Sequence, residues 1–356
     1  MTTWVASAPG KLVMAGEYAV LEGAPALVLA LDRRARVRAM RRAGDGLVVA
    51  APDIGVREAR ACLRDGTWQW QENADVAGRL GLVAAVLARP GLAGRMRGSA
   101  WHVALDTAAF FAPNGRGKLG LGSSAALTVA LGAALCAAAG GEAPDTAALL
   151  AMHRGLQEGR GSGLDIAASG IGGILVYRLD AGRPTWRRVA WPADVHWRVV
   201  WSGRPASTAA ALARLAAWRV DHARRFDGHM RTLSTLADAV VSALDAGDGG
   251  AMLEAMADYA GALARFGIDC GIDIVSDEHR RIASLAAADG LLYKTCGAGG
   301  GDVGVVLGRD ADALNHFSRQ VAAAGFQVLD AGLDPHGLDL RDEATGNRRS
   351  SWTTSA

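Results

Sequence analysis

The stretch GKLGLGSSAALTVALG, residues 117 to 132, places glycines and two serines directly before a run of small apolar residues. Because alanine and leucine favour helix, the stretch predicts a tight glycine loop that leads into a buried helix. The first N–H groups of a helix lack intrahelical partners, and its N-terminal end carries a partial positive charge, which suits a phosphate. The simpler interpretation of the same stretch is an ordinary N-cap, with Ser123 or Ser124 capping a core helix. Taken alone, it does not separate these two interpretations.

Length and composition limit the class of protein. A chain of 356 residues is long enough for two domains, each with its own core. Its net charge of +2 lacks the basic excess of a nucleic-acid-binding protein, so no nucleic-acid partner is expected. We recognise neither a targeting leader nor an apolar run of membrane-spanning length, which predicts a cytoplasmic protein without a membrane partner. The scattered cysteines favour a reducing compartment over a zinc site or a disulfide framework; they are Cys62, Cys136, Cys270 and Cys296.

Hydrophobic periodicity predicts alternating strands and helices. Strands are predicted at residues 27–31, 35–40, 47–50, 101–106, 174–178, 195–201, 303–307 and 326–329. Helices are predicted at 75–88, after the glycine loop, and at 145–155, 233–244, 252–266, 277–289 and 312–323. Composition changes at 183–194, which predicts an N-terminal domain over 1–192 and a two-layer α+β domain over 193–340. The polar segment 341–356 is expected to be a flexible tail.

Two common nucleotide motifs do not fit the glycine loop. The P-loop pattern needs Ser or Thr after Gly-Lys, whereas Leu119 follows Gly117 and Lys118. Gly120, Gly122 and Ala125 have the spacing of a dinucleotide fingerprint, but a loop precedes them where that fingerprint needs a strand.

Two further glycine-rich segments accompany this loop. They are SAPGKLVMAGEYAVLEG at residues 7–23 and KTCGAGGGDVGVVL at 294–307. Dense glycine lets backbone approach a ligand closely, at an entropic cost to folding. The chain has three lysines, Lys11, Lys118 and Lys294, and each lies beside a glycine-rich segment. Three such loops with lysines favour a phosphorylated ligand over a coincidence of turns.

The motifs PGKLVMAGEYAV, GLGSSAA and GAGGGD, in this order, resemble the three motifs of the GHMP kinase superfamily. The resemblance spans residues 7 to 307. Within the superfamily, three features resemble the phosphomevalonate kinase family. They are the tripeptide GEY of the first motif (16–18), the segment GSGLDIAAS (161–169) and the segment WSGRPAST (201–208). The fold that this implies is α+β with two domains: an N-terminal α+β domain with a left-handed crossover, and a ferredoxin-like C-terminal domain. ATP and Mg²⁺ are the implied cofactors, the implied partner is a small phosphorylated substrate, and the chain is expected to be a monomer or a homodimer.

The resemblance also implies site residues. Lys11, Asp165 and Lys118 would be catalytic. The ATP phosphates would lie on Lys118, Gly120, Leu121, Gly122, Ser123, Ser124 and Ala125. The acceptor would be bound by Lys11, Glu17, Tyr18, Ser162, Gly163, Ser207, Gly297, Ala298 and Gly299. Mg²⁺ would contact the Ser123 hydroxyl, and Glu158 is a weaker candidate for a second metal contact.

Several of these residues have structural alternatives. Lys118 is also typical of a solvated loop, Asp165 of a turn that bonds its own backbone, and Tyr18 of a core. Ser207 is equally an N-cap for a helix that starts near Thr208. Whether Asp165 is a base or only orients Lys11 stays open.

The implied activity is ATP-dependent phosphorylation of 5-phosphomevalonate to 5-diphosphomevalonate, in the mevalonate pathway to isoprenoid precursors. The alternatives are mevalonate kinase, another small-molecule GHMP kinase, the diphosphomevalonate decarboxylase that shares the fold, and a ligand sensor that has lost catalysis. Lys11, Lys118, Ser123 and Asp165 together argue against the sensor, which has no need of all four.

Overall fold

The computed structural model describes residues 2–112, 117–156 and 161–348, which build two β-sheets with helices packed against them. The first sheet has nine strands. Their bounds are β1 Thr2–Ala15, β2 Ala26–Arg42, β3 Gly46–Ala51, β4 Val56–Arg64, β5 Thr67–Trp70, β6 Ala100–Asp106, β7 Ile174–Asp180, β8 Arg183–Val189 and β13 Asp339–Asp342. Along the sheet the order is β13-β1-β2-β6-β3-β4-β5, with β7 on β2 and β8 on β7.

Strand β1 contains the Pro-Gly-Lys segment that the sequence presents as a glycine-rich loop. Its pairing with β2 shifts register between Pro9 and Gly10, and pairing resumes with Gly10 opposite Leu31 and Lys11 opposite Ala30. A side chain at Gly10 would lie 2.7 Å from the carbonyl oxygen of Leu121. Pro9 and Gly10 are weak strand formers, and they lie at an irregularity in the strand. The missing side chain of Gly10 lets the glycine loop approach the backbone of β1 there.

Helices cover the first sheet and connect its strands. They are α1 Ala74–Arg79, α2 Gly81–Leu87, α3 Leu92–Met96, α4 Ser123–Ala138, α5 Thr146–Leu156 and α6 Leu164–Ile171, with short 3₁₀ turns at Ala19–Glu22, Pro52–Ile54 and Ala108–Phe110. The single helix predicted over 75–88 is two helices that meet at Leu80, where Gly78 and Gly81 weaken the helical backbone. Helix α4 is buried along almost its whole length and packs against β1, β2 and α6.

The second sheet has four strands, all antiparallel. They are β9 His196–Trp201, β10 Leu292–Thr295, β11 Val303–Gly308 and β12 Gln327–Leu329. The accompanying helices are α7 Thr208–Asp221, α8 Ala223–Asp245, α9 Gly249–Cys270, α10 Asp277–Ala288 and α11 Ala311–Ala323. The order β10-β11-β9-β12 places the first strand between the third and the fourth, which is the ferredoxin-like arrangement. The structure confirms that expectation for the C-terminal domain.

The C-terminal segment corrects the predicted end of the second domain and the start of the tail. Strand β13 pairs with β1 of the first sheet, with Leu340 opposite Ala6 and fully buried. An ion pair joins Arg34 to Asp334. Residues from about 333 to 342 therefore return to the first sheet, and the description continues to 348. Four strand residues with one buried leucine are too short a pattern for periodicity to reveal, because backbone pairing at a sheet edge supplies most of the contact.

A single apolar cluster extends across both sheets. It contains Leu12 of β1 in the first sheet, Leu131 of α4, Tyr259 of α9, and Val199 of β9 and Val305 of β11 in the second sheet. This continuous packing holds the motifs of the two halves at fixed positions relative to each other.

Candidate active site

The first motif lies directly against the second. The Lys11 N–H donates to the Leu121 carbonyl at 2.8 Å. A side chain at Gly122, whose φ is +81°, would lie 2.9 Å from Cγ of Lys11. The Lys11 side chain therefore passes directly over the glycine loop, and no residue with a β-carbon fits beneath it without displacement.

Helix α4 begins after a glycine N-cap rather than with a serine cap. Gly122 is the N-cap, Ser123 is the first helical residue, and no side chain caps this end. The N-cap interpretation of Ser123 or Ser124 is therefore wrong, because Gly122 occupies that position. The N–H groups of Ser123, Ser124 and Ala125 have no hydrogen-bond acceptor within the helix, because no helical carbonyl lies four residues before them. Within the described parts of the chain, no hydrogen bond engages the Ser123 hydroxyl, so it fits a Mg²⁺ ion held mainly by phosphate and water oxygens.

A cavity of about 150 Å³ opens beside Lys11. It brings together residues from the first and third motifs and from GSGLDIAAS. The predicted residues that line it are Lys11, Glu17, Tyr18, Ser162, Asp165, Gly297 and Ala298. Sequence reasoning did not select the others: Val13, Val20, Leu21, Gly161, Leu164, Thr208 and Leu212. Strand β1, helices α6 and α7 and the third glycine segment thus meet around one cavity.

Asp165 lies in the first turn of α6 rather than in an isolated turn, and it makes the local backbone hydrogen bond that the structural alternative predicts. Gly163, with a φ of +85°, is the N-cap of this helix, and the Ile166 N–H donates to Oδ1 of Asp165 at 3.2 Å. A carboxylate is stabilised by the positive end of a helix. Asp165 therefore lies at the N-terminal end of α6, in the wall of the cavity that Lys11 also lines.

Glu17 forms a buried ion pair with Lys294, whose side chains are 3% and 0% exposed. The Lys294 ammonium also donates to the Thr295 carbonyl at 2.7 Å, and the Tyr259 hydroxyl donates to the Glu17 carbonyl at 3.1 Å. Among the described residues, Oε2 of Glu17 has no hydrogen-bond partner. Sequence reasoning gave Lys294 no role, although its rarity and its place beside a glycine segment were a signal.

Tyr18 connects the first motif to the third. Its hydroxyl donates to the Ala298 carbonyl at 2.6 Å, and its ring packs edge-on against Phe266 at 5.3 Å. Burial raises the pKa of the Tyr18 hydroxyl well above its usual value, so it remains a donor at physiological pH. The core and pocket interpretations both hold, because one face of Tyr18 packs in the core while the residue also lines the cavity.

Other predicted residues lie outside this cavity. Lys118 is exposed, and its ammonium lies 6.0 Å from the ring centroid of Phe111. The Ser207 hydroxyl accepts the Ala210 N–H at 3.3 Å and so caps α7. Ser124 is exposed at the start of α4. Glu158 lies outside the described residues.

Two predicted glycines have packing explanations. A side chain at Gly163 would overlap Leu150, and one at Gly299 would lie 2.6 Å from Cα of Ile274. Both positions allow close approach of neighbouring protein, and neither lines the cavity.

A second cavity of about 380 Å³ lies beside Leu119, the residue that precedes the glycine loop. It is lined by Arg33, Asp53, Ala108, Phe111, Ala112, Leu119, Gln327 and Leu329. No sequence signal pointed to it. In the described ranges, His, Cys, Asp and Glu side chains form no group of three suited to a metal ion.

Comparison with known proteins identifies the family. Over 373 aligned positions the chain is 33% identical to a phosphomevalonate kinase from a Streptomyces species, covering 94% of this chain and 97% of that protein. The chain belongs to the phosphomevalonate kinase family. It is thus a phosphotransferase of the GHMP kinase type, as the motifs predicted. No family model matches the chain.

Solved structures confirm the GHMP kinase fold. A Streptococcus pneumoniae phosphomevalonate kinase in complex with phosphomevalonate and AMPPNP has a TM-score of 0.72 at 22% identity, covering 92% of this chain and 99% of that one. An L. major mevalonate kinase in complex with R-mevalonate has a TM-score of 0.66 at 20% identity, covering 90% of this chain and 94% of that one. Across the described residues, no helix combines the length and apolar character needed to cross a bilayer.

Proposed function

We propose that the protein transfers the γ-phosphoryl group of ATP to 5-phosphomevalonate, which yields ADP and 5-diphosphomevalonate. The observation that carries this proposal is the position of Lys11, whose side chain lies over Gly122 of the glycine loop and also lines the cavity with Asp165. Family membership and the resemblance of GEY, GSGLDIAAS and WSGRPAST to this family support the choice of acceptor.

Donor and acceptor would meet at Lys11. The donor phosphates would lie on the N–H groups of Ser123 to Ala125, and the acceptor would occupy the cavity. An acceptor phosphate oxygen forms the new bond to the γ-phosphorus while the bond to the ADP oxygen breaks. Both reactants are anions, and Lys11 is the one cationic side chain among the described residues that line the cavity. Its ammonium would therefore reduce the repulsion between them.

Asp165 would orient Lys11 and the acceptor. A phosphate monoester has a second pKa of about 6, so at neutral pH the attacking oxygen already lacks a proton. A general base is then less necessary than it is for an alcohol. When bound, Mg²⁺ would neutralise charge on the donor phosphates, and the Ser123 hydroxyl would be a protein oxygen that holds it.

The second cavity would hold the nucleoside. It adjoins Leu119, so a nucleotide whose phosphates lie on residues 120–125 would reach it directly. Phe111, Leu119 and Leu329 supply apolar surface, and Arg33 and Asp53 supply polar groups at its rim. Lys118, exposed next to this cavity, would contact the donor phosphates as they enter.

We further propose a cytoplasmic enzyme with no nucleic-acid partner, acting as a monomer or a homodimer. Its four free thiols fit a reducing compartment.

The proposal is tested by ADP release from the full chain with ATP and Mg²⁺. Mevalonate, phosphomevalonate and diphosphomevalonate are offered separately. We expect release with phosphomevalonate and loss of that release when Mg²⁺ is chelated. Release with mevalonate but not with its phosphate would contradict the proposal and favour a mevalonate kinase.

A further inference from the structure

Asp302 closes the third glycine segment in an unusual backbone conformation. Its φ is +56°, in the left-handed region that residues other than glycine rarely adopt. Such a conformation persists where surrounding contacts enforce it, and it is a reason to ask what the side chain does. Sequence reasoning selected the glycines before Asp302 and left this residue without a role.

Asp302 forms hydrogen bonds with residues 202–206, the segment that precedes α7. Its N–H donates to the Arg204 carbonyl at 2.6 Å, and its own carbonyl accepts the Ser202 N–H at 2.9 Å. Its carboxylate Oδ1 accepts the Ala206 N–H at 3.0 Å. One residue thus fixes residues 202–206 through both backbone and side chain. Thr208 and Leu212, which line the acceptor cavity, lie on the helix that follows.

The same carboxylate faces the donor loop. A side chain at Gly120 would overlap the carboxylate carbon and Oδ2 of Asp302. Burial raises the pKa of Asp302, while the nearby Lys11 ammonium opposes that shift. Asp302 is therefore packed against the phosphate loop on one side and bonded to the start of α7 on the other.

We propose that Asp302 is a positioning residue that couples binding at the donor site to binding at the acceptor site. This inference rests on the proposed function. A nucleotide that orders residues 120–125 also fixes the surface against which Asp302 packs, and Asp302 in turn holds residues 202–206. The loop that the donor orders is thereby joined to the helix that completes the acceptor cavity, so each ligand tightens the binding of the other.

Two substitutions separate contact from charge. Asp302→Gly accepts the backbone conformation and removes the side chain. Asp302→Asn tolerates the same conformation and keeps an oxygen that can accept the Ala206 N–H. Asp65→Gly is the matched control, since Asp65 has a φ of +49° and is exposed in the turn between β4 and β5.

Calorimetry with the full chain measures the affinity for Mg²⁺-AMPPNP in the absence and presence of saturating phosphomevalonate. The affinity ratio is the affinity with phosphomevalonate divided by the affinity without it. For the wild type we expect a ratio of about five or more, the lower end of typical coupling between sites. Asp302→Gly should reduce this ratio to about one, whereas Asp302→Asn and Asp65→Gly should stay within about twofold of the wild type, because contact rather than charge carries the coupling. If the Asp302 side chain had only a structural role, Asp302→Gly would lower the free energy of unfolding but leave the affinity ratio unchanged.

Two results would overturn the inference: a wild-type ratio of one, or an Asp302→Gly ratio equal to that of the wild type. If Asp302→Gly fails to fold, Asp302→Ser replaces it, because its hydroxyl ends one bond short of the carboxylate oxygens; its ratio should also fall to about one. ADP release by the wild type is measured alongside. An active enzyme without coupling contradicts the role of Asp302 alone, whereas an enzyme inactive with phosphomevalonate contradicts the proposed function.

Discussion

At the scale of single residues, glycine is required where a neighbouring carbonyl or side chain occupies the space that a β-carbon would fill. Gly10 admits the Leu121 carbonyl, and Gly122 admits the side chain of Lys11. Gly122 also has a φ of +81°, which an L-residue adopts only with strain. Position and conformation together explain why this loop and the Pro-Gly-Lys segment form one site.

Gly122→Ala should weaken Mg²⁺-AMPPNP binding about tenfold or more, which corresponds to about 1.4 kcal/mol. The new β-carbon would displace Lys11 from the phosphate loop. Gly140→Ala is the control, because Gly140 has a φ of +74° at the other end of α4, and a β-carbon there would meet no neighbouring atom within 4 Å. Both variants should lose about 1–2 kcal/mol of unfolding free energy from the left-handed backbone. Calorimetry and urea unfolding measure the two effects, and equal nucleotide affinity in both variants would refute this role of Gly122.

At the scale of elements, α10 supports the third glycine segment through His279. The ring nitrogen Nε2 lies 2.9 Å from the Gly301 carbonyl, and Nδ1 lies 2.7 Å from the Tyr293 hydroxyl. Since a carbonyl only accepts, Nε2 carries the proton and Nδ1 accepts from the tyrosine. Burial lowers the pKa of His279, so the neutral ring is the folded form.

This support should make stability depend on pH. The unfolded chain takes up a proton on His279 as pH falls below about 6.5, while the folded chain resists doing so. The free energy of unfolding should therefore fall with pH below about 6.5, by up to about 1.4 kcal/mol per pH unit until the folded pKa is reached. His279→Gln lacks this titration. Urea unfolding at pH 7.5, 6.5 and 5.5 compares the two proteins; an identical pH slope would exclude His279 as the cause.

Elements with a long local pattern could be predicted, and those that depend on distant partners could not. The apolar spacing at 233–244 and 252–266 lies within α8 and α9, and Ser276 caps α10 as its sequence indicates. The glycine-rich segment at 7–23 indicates a loop, whereas residues 2–15 form strand β1, because pairing with β2 outweighs the weak strand preference of Pro9 and Gly10. Strand β13 has only four residues and depends on β1 for its contacts.

At the scale of the whole molecule, the site is assembled from residues far apart in the chain. The Tyr18–Ala298 and Glu17–Lys294 contacts join positions 280 and 277 residues apart. The motifs identified half of the residues that line the cavity, because each motif is a local pattern. They did not show that Lys294 pairs with Glu17 or that Asp302 packs against Gly120, because those partners lie far away in the sequence.

In the proposed reaction, Lys11 lowers the repulsion between two anionic reactants, and Asp165 is not an obligatory base. Turnover of wild type, Lys11→Met and Asp165→Asn with phosphomevalonate from pH 5.5 to 8 tests this directly. We expect Lys11→Met to lose about a hundred- to a thousandfold, or about 2.7–4 kcal/mol. Asp165→Asn should lose less at neutral pH, and its deficit should grow below about pH 6, where the acceptor phosphate carries a proton. A loss at Asp165 that exceeds the loss at Lys11 at every pH would contradict these roles and favour an alcohol acceptor.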